Sequence, residues 1–552
     1  MASLPTREAP ASNAAQTNAS KILASIQDQL RGPGGAVAIV KDGETIARHT
    51  YGYADLDRRI PLTPQMHMPI CSISKQMVCL VLVSLKHEPT PLMAKFSGDI
   101  WEQLAVELQK VLPHLVERGL TVPDLYNMQS GIRDYWAMTT LWGAQPEGQF
   151  SIALDAPQAI ARTRSFHFEP GTEYSYSNVN FHILGSMIEA VAGQSLGQLL
   201  DERVFKPAGM RSAALCPNTA GHPLPVVGYD GDEKHGYQAG INRIEWSGDA
   251  GIVATLDDMI AYEKWLDKTY AEEGSLYNTV ARHTTYRDGS VAKYGYGLAR
   301  GETAGKAWLG HGGALRGFRL WRMHLPEEHL SIVVMFNHEG DSAAPADGIL
   351  KRLLNWQEPE KALSTAESNL FGAYLDVETQ LLVRVEKSDD AGYVNVTYHI
   401  APEKTRLTSG TSVESKGMTA NLEADTLHVH RLRDNRVLQA KRIITRATGE
   451  GTLLKGDQYT GSYHCADFDN IFHCFGAGSV LYGSFDGFLG KGPAYLMRHV
   501  GEDVWLLSNP RGMDAPAPGD WTVVFRRDGS GVVTNATIGC WLARKNEYTR
   551  VS

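Results

Sequence analysis

From Cys71 to His87 the chain runs without a glycine or a proline, and from Met77 to Leu85 it is apolar except at Ser84. A helix that apolar cannot lie on a surface. It has to be wrapped by other elements, so the chain must build a layered domain around it. The entry to the helix is Pro69-Ile70-Cys71-Ser72-Ile73-Ser74-Lys75. Ser72 and Lys75, three residues apart, share one helix face. A helix N-terminus offers free backbone N–H groups and partial positive charge, which ease deprotonation of a serine. Desolvation pushes a lysine one turn on toward its neutral form. A serine beside a basic amine is a nucleophile with its activator. The plain alternative is an N-cap serine and a solvated lysine, which fits poorly with so apolar a helix.

At 552 residues the chain is too long for one core, and two or three domains are expected. A net charge of −9 argues against nucleic acid as a partner. No run of eighteen apolar residues occurs, so no membrane-spanning helix is expected. Residues 1–20, rich in Ala, Ser, Asn and Thr, contain no apolar core of signal-peptide length and are expected to be a disordered tail. The six cysteines show no metal-site spacing. Together these features predict a cytoplasmic protein with reduced thiols.

An amphipathic helix is expected from about Ser20 to Leu30, on Ile22, Leu23, Ile26 and Leu30. After the Gly32-Pro33-Gly34-Gly35 break, Ala36–Val40 and Glu44–Ala47 flank Lys41-Asp42-Gly43 as a hairpin. The serine helix and a long helical stretch follow. The loop Gln129-Ser130-Gly131-Ile132-Arg133-Asp134-Tyr135-Trp136 reads either as a cleft wall or as a plain connection. A Pro170-Gly171 turn leads to Tyr174-Ser175-Tyr176-Ser177-Asn178 just before another helix. A tyrosine in a water-poor cleft can shuttle protons. An asparagine can orient an amide through donor and acceptor together. Further on, Thr255 is placed to cap a helix. His311-Gly312-Gly313 lies on a strand edge, where two glycines clear room for something that approaches closely. Strands 318–324 and 330–336 and a helix from about Ala346 complete an α+β domain with helices around an antiparallel sheet.

From Pro359 to Glu367 the composition turns linker-like, and beyond it the pattern is strand and turn. Gly372-Ala373-Tyr374 is echoed by Gly461-Ser462-Tyr463, 89 residues later (463 − 374). Two small antiparallel β-barrels are therefore expected, at 366–450 and 451–552, after a catalytic domain at 21–358. The second contains a proline-stiffened loop, Arg511–Trp521, with Asp514 in it.

Ser72-Ile73-Ser74-Lys75, Tyr176-Ser177-Asn178 and His311-Gly312-Gly313, in that order, resemble the three motifs of the penicillin-recognising serine hydrolases, among which Ser-x-x-Lys is a known nucleophile motif. The blocks Pro69–Ser72, His167–Gly171, His311–Gly317, Phe488–Lys491 and Gly539–Arg544 narrow the resemblance to the bacterial D-aminopeptidases of that superfamily. It extends over nearly the whole chain after the N-terminal tail. It implies a β-lactamase-like catalytic domain followed by the two barrels. It implies release of N-terminal D-residues, such as D-alanine, from peptides, amides and esters, with no cofactor or metal, by a homodimer. Ser72 would be acylated, with Lys75 and Tyr176 sharing proton transfer. Asn178 and His311 would position substrate, and the strand at Gly313 and Ala314 would line it. The N–H groups of Ser72 and Ala314 would form the oxyanion hole. Asp514 would pair with the substrate ammonium.

Two positions depart from the family pattern. Ser177 replaces a cysteine, which is expected to be neutral. Ala299, twelve residues before His311 (311 − 299), stands where the family has an asparagine that helps hold the free amine. That leaves room for a related esterase, amidase or acyl-transfer enzyme acting on peptides with D-residues. A non-catalytic receptor for D-amino ligands is a third reading, disfavoured by the intact Ser72, Lys75 and Tyr176.

Overall fold

The computed structural model describes residues 11–25, 30–357, 368–398, 401–444, 455–514 and 519–552. The chain forms two compact units. One comprises Met1–Gln103, Gly185–Arg282 and Tyr294–Pro359; the other comprises Leu104–Leu184, His283–Lys293 and Glu360–Ser552. Among the described residues no helix is long and apolar enough to cross a membrane.

The first unit is built on an eight-stranded antiparallel sheet. The strands Gly34–Lys41 and Glu44–Asp55 form the expected hairpin, turning at Asp42 and Gly43 with φ of 52° and 73°. Leu330–Phe336 pairs with Gly34–Lys41, and Phe318–Leu325, Lys306–Leu315, Leu298–Thr303 and Tyr294–Gly295 follow in order on that side. Gly34–Lys41 and Leu330–Phe336 are buried along almost their whole length, on both faces. Helices therefore cover the sheet on two sides. Val37, Ile39, Ile332 and Val334 pack on one side with Ile349 and Leu350 of the Ala343–Leu353 helix. The Leu256–Tyr270 helix contacts the central strands as well. It begins at Thr255, whose side chain accepts from the Asp258 N–H at 3.0 Å.

The N-terminus differs from the expectation. Residues 11–20 are not a tail: a helix spans Ala11–Ser25, and Ala19, Ile22 and Leu23 enter the sheet core. The spacing of those three residues puts them on one face, and burial decides the structure where weak composition does not. The helix expected over Ser20–Leu30 is thus shifted earlier; residues 1–10 and 26–29 lie outside the described residues.

The second unit holds two closed antiparallel barrels. Eight strands from Gly372–Asp376 to Arg436–Arg442 close the first, with Tyr374 beside Arg442. In the second, Asn470–Ala477 pairs with both Gly461–Cys465 and Val480–Gly487, which closes the ring that ends at Ala543–Arg550. Leu382, Ile443, Val504, Leu506 and Val524 form an apolar cluster shared by the two barrels.

The repeat seen in the sequence is structural. Tyr374 Oη donates to Leu370 O at 2.7 Å, and Tyr463 Oη donates to Tyr459 O at 2.7 Å. Gly372 and Gly461 share φ values of 144° and 149°, open in practice to glycine. A Cβ on either would press on an arginine of the last strand of its barrel, Arg442 or Arg550. Those two arginines cover the Tyr374 and Tyr463 rings at 4.7 and 5.9 Å.

The helical stretch Leu104–Leu184, inside the catalytic domain expected at 21–358, clusters by its contacts with the unit of the barrels. Trp142 Nε1 donates to Phe468 O at 3.1 Å, and Asn470 Nδ2 donates to Leu141 O at 2.8 Å. Gly143 sits so close to the Phe488-Leu489-Gly490 turn that a Cβ would fall 2.1 Å from Gly490 O.

Candidate active site

In the first unit, the serine motif enters its helix through a 3₁₀ turn, Cys71–Ile73, followed by the α-helix Ser74–His87. Cys71 has φ of 52°, a left-handed conformation that costs a non-glycine residue about 1–3 kcal/mol. That kink sets the direction of Ser72, which is half-buried, while Lys75 is fully buried. Lys75 Nζ lies 3.0 Å from Ser72 Oγ. It also donates to Asp249 O. The glycine-flanked Ser247–Gly251 segment supplies that carbonyl, and the Asp249 carboxylate accepts from Ser247 N–H at 2.8 Å to hold its shape. The chemistry available here is a hydroxyl in direct contact with a buried amine.

Behind Lys75 the helix is tied to the sheet. Arg322 donates to Gln76 Oε1 at 2.9 Å and to both oxygens of Glu263 at 2.6 and 2.8 Å, with Arg322 and Glu263 fully buried. Burial works against the Arg322 charge, but the Glu263 carboxylate more than offsets it and raises the guanidinium pKa above its ordinary value.

His311 lies on the Lys306–Leu315 strand and is 6% exposed. Its Nδ1 is 2.6 Å from Gly312 O and its Nε2 is 2.9 Å from Tyr294 Oη. A carbonyl can only accept, so Nδ1 carries a proton and Nε2 accepts from Tyr294 in the neutral ring. Both ring nitrogens of His311 thus have protein partners. Gly313 is pressed against the serine turn, and a Cβ there would fall 2.5 Å from Ile70 O. The close approach anticipated for this glycine pair is thus, at Gly313, to backbone of the chain itself. Ala314, next on the strand, is half-buried. Ala299 pairs with Gly310 and with Tyr294. Arg300 beside it is committed to the carbonyls of Val280, Arg282, Gly295 and Leu298.

In the second unit, Tyr176 is half-buried in the loop that leads to the Asn178–Ala192 helix. The segment Met128–Trp136 holds that loop along its length. Ser175 N–H donates to Met128 O at 3.1 Å, and Ser130 Oγ donates to Asn180 Oδ1 at 2.9 Å. Asp134 Oδ1 accepts from both the backbone N–H of Asn178, at 2.7 Å, and its side-chain amide, at 3.0 Å. This fixes which way the Asn178 amide points. Asp134 also caps the Tyr135–Leu141 helix through Ala137 N–H, and its own N–H donates to Leu542 O of the last barrel. His167 is driven well below its ordinary pKa by burial and by Arg544 and Arg133. It is therefore neutral, and its Nδ1 accepts from Arg544 N–H at 3.3 Å.

Asp514 is half-buried at the end of a described stretch, a few residues after Asn509, which donates to Thr140 Oγ1 at 3.1 Å. The proline-bearing part of that loop, residues 515–518, lies outside the described residues. Sequence reading missed Asp134, Asp249 and Tyr294. The Asp134-Tyr135-Trp136 step carries an N-cap signature that could have flagged the first. Nothing local marks Asp249 or Tyr294.

Comparison with known proteins agrees with this layout. Residues 19–355 match the family model "Beta-lactamase", and residues 363–549 match "D-aminopeptidase, domain B". A D-aminopeptidase of Brucella anthropi is 42% identical over 528 residues, covering 95% of this chain and 97% of its own. A D-aminopeptidase of Brucella melitensis biotype 2 is 41% identical, covering 96% and 97%. Among solved structures, the octameric penicillin-binding protein homologue from Pyrococcus abyssi shares the fold with a TM-score of 0.50 at 18% identity, covering 76% of this chain and 99% of that one. The expected cytoplasmic location does not stand: it rested on absences alone, and the fold is shared with a penicillin-binding protein homologue. The thiols were a weak guide: five of the six cysteines are buried, and a buried thiol can persist in either kind of compartment.

Proposed function

Because the chain belongs to the D-aminopeptidase family of β-lactamase-like serine hydrolases, we propose that it releases N-terminal D-amino acids, D-alanine among them, from peptides, amides and esters through an acyl-enzyme. The observation that carries this reading is the 3.0 Å contact between Lys75 Nζ and Ser72 Oγ on a buried helix start. In its neutral form that amine accepts the hydroxyl proton as Oγ attacks the scissile carbonyl. The backbone N–H groups of Ser72 and Ala314 receive the oxyanion. Tyr176 passes the proton to the leaving amine, and water then hydrolyses the Ser72 ester to free the D-amino acid. Asn178 orients the substrate amide. His311 and Gly313 shape the strand along which it lies, and Asp514 pairs with its α-ammonium.

A small peptide or aminoacyl amide is the partner this chemistry needs. The net charge of −9 supports the reading that nucleic acid is not one. The family resemblance supports a homodimer, which light scattering on the eluting protein would test.

One observation favours a second reading, a related esterase, amidase or acyl-transfer enzyme. Ala299 offers no polar group, and Arg300 is occupied by four backbone carbonyls. A looser demand for a free amine would follow. The test is a panel of D- and L-aminoacyl amides and esters, with and without an N-blocking group. Ser72→Ala should abolish release of p-nitroaniline from D-alanine p-nitroanilide; full residual turnover would remove the nucleophile. Asp514→Ala should raise KM for free-amine substrates more than for N-acylated ones; equal effects would remove its role. A clear preference for N-acylated substrates would select the second reading.

A further inference from the structure

Three residues before Tyr176, a single carboxylate joins both barrels. Glu173 Oε1 accepts from Arg436 Nη1 at 2.9 Å, and Glu173 Oε2 accepts from Arg544 Nη1 at 2.7 Å. Arg436 starts the last strand of the first barrel, and Arg544 lies in the last strand of the second. All three side chains are largely buried, at 13%, 2% and 0% exposure. Arg436 is shared with Asp376 at 2.9 Å and Glu378 at 3.1 Å. Arg544 is held by Trp541 O through its Nε, and its guanidinium lies 5.6 Å from the Phe168 ring centre.

The neighbours of Glu173 are laced to the first barrel as well. Asn435 Nδ2 donates to Thr172 O at 3.0 Å, and Tyr174 N–H donates to Asp434 O at 3.0 Å. Asp434 and Asn435 sit in the turn between the strands Thr426–Arg431 and Arg436–Arg442. Thus the chain from Thr172 to Tyr174 takes its course from a turn of one barrel and an arginine of each. Two residues on, the backbone delivers Tyr176. A carboxylate that bridges two guanidiniums with separate oxygens fixes position and rotation together.

We infer that Glu173 is a positioning residue for Tyr176, through which the two barrels set the reach of the proton-transferring hydroxyl. The barrels then serve the reaction twice, once through the loop that carries Asp514 and once through this carboxylate. The inference rests on the proton-transfer role proposed for Tyr176, and the test separates the two.

The measurement is a double-mutant cycle on the full-length enzyme with D-alanine p-nitroanilide, recording kcat, KM and the pH profile of kcat for Glu173→Gln, Tyr176→Phe and the pair. A displacement near 1 Å at a reacting group costs on the order of 100-fold in rate. Glu173→Gln should therefore lower kcat about 10- to 100-fold with KM changed less than about 3-fold. It should also move the limb of the pH profile that Tyr176→Phe removes. In the Tyr176→Phe background the same substitution should cost less than about 3-fold. Glu173→Asp keeps the charge and the fold but is too short to bridge both arginines, and should give a smaller loss of the same kind. A lowered melting temperature with unchanged kcat and pH profile in either variant would overturn the inference, as would an equal loss in both backgrounds. Full activity of Tyr176→Phe would instead overturn the role proposed for Tyr176.

Discussion

One carboxylate oxygen of Asp134 receives two hydrogen bonds from Asn178, one from its backbone N–H and one from its side-chain amide. The amide nitrogen is thereby turned toward Asp134 and the carbonyl oxygen away from it. An asparagine read from sequence as donor and acceptor alike becomes oriented, with its donor committed to Asp134. Because Asp134 also caps the Tyr135–Leu141 helix and binds Leu542 O, the last barrel and the Asn178 amide are coupled through one residue.

Asp134→Ala should therefore damage both stability and activity. Loss of an N-cap costs about 1 kcal/mol, and leaving buried donors unpaired costs about 1–3 kcal/mol. A drop in unfolding free energy of about 2–4 kcal/mol is expected in urea. Asp134→Asn keeps much of the cap but can present its amide nitrogen to Asn178 and reverse it. That variant should lose kcat/KM by about 10-fold or more with a smaller stability cost. Unchanged kcat/KM for both variants would mean that the orientation of Asn178 does not matter.

Gly313→Ala tests the fit of the strand against the serine turn. Its Cβ would lie 2.5 Å from Ile70 O and 3.2 Å from Cys71 Cβ. Backbone cannot swing aside as a side-chain end can, so the strand and the turn must separate. Forced overpacking costs about 1–3 kcal/mol, and the shift falls on the residues beside Ser72. The acylation rate by an active-site-directed ester should fall more than the melting temperature would suggest. Gly312→Ala, whose Cβ would press on the Trp321 ring at 3.2 Å and touch Leu320 O at an ordinary 3.7 Å, should be milder.

Glu263→Gln would leave Arg322 fully buried with its charge uncompensated. Breaking a buried pair from one side costs about 3–5 kcal/mol. The loss should appear in chemical denaturation. It should carry a secondary fall in kcat, since Arg322 also binds Gln76, the residue after Lys75. Replacing Glu263 and Arg322 together by Leu and Met should recover part of the stability; a double variant no better than Glu263→Gln would count against this account.

What the sequence disclosed and what it withheld divide along the range of the interactions. Ser72 with Lys75, the Asp42-Gly43 turn and the paired Gly-x-Tyr starts of the barrels are local patterns, legible because a few neighbouring residues dictate them. The Ala11–Ser25 helix was misplaced because its residues are ordinary and only its burial against the sheet selects it. The allegiance of Leu104–Leu184 was invisible because contacts such as Trp142 to Phe468 span 326 residues. Tyr294 was missed for the same reason on a smaller scale, since nothing in Lys293-Tyr294-Gly295 announces a histidine 17 residues on.

Acid should weaken the first unit through His338. Its Nδ1 accepts from Gly340 N–H at 3.1 Å, so that nitrogen must be unprotonated. The ring stacks on Phe336 at 4.6 Å and lies 3.5 Å from Tyr51 Oη, and it is 3% exposed. Burial first, and Arg319 second, lower its pKa from 6.5 to about 4. The folded state thus binds this proton less readily than the unfolded chain does. Above pH 6.5 neither state carries it and His338 has no effect on the pH dependence. As pH falls below 6.5 the unfolded state gains the proton first, and stability drops by up to 1.36 kcal/mol per pH unit until the folded ring titrates near pH 4. The total is about 3 kcal/mol, to which His222, also lowered to about 4 by burial, adds in the same direction. His338→Gln should lower stability at pH 8 through lost packing. It should also flatten the decline in unfolding free energy between pH 6.5 and 4 relative to the unaltered protein. A parallel decline in the two proteins would show that His338 does not bind the proton on unfolding.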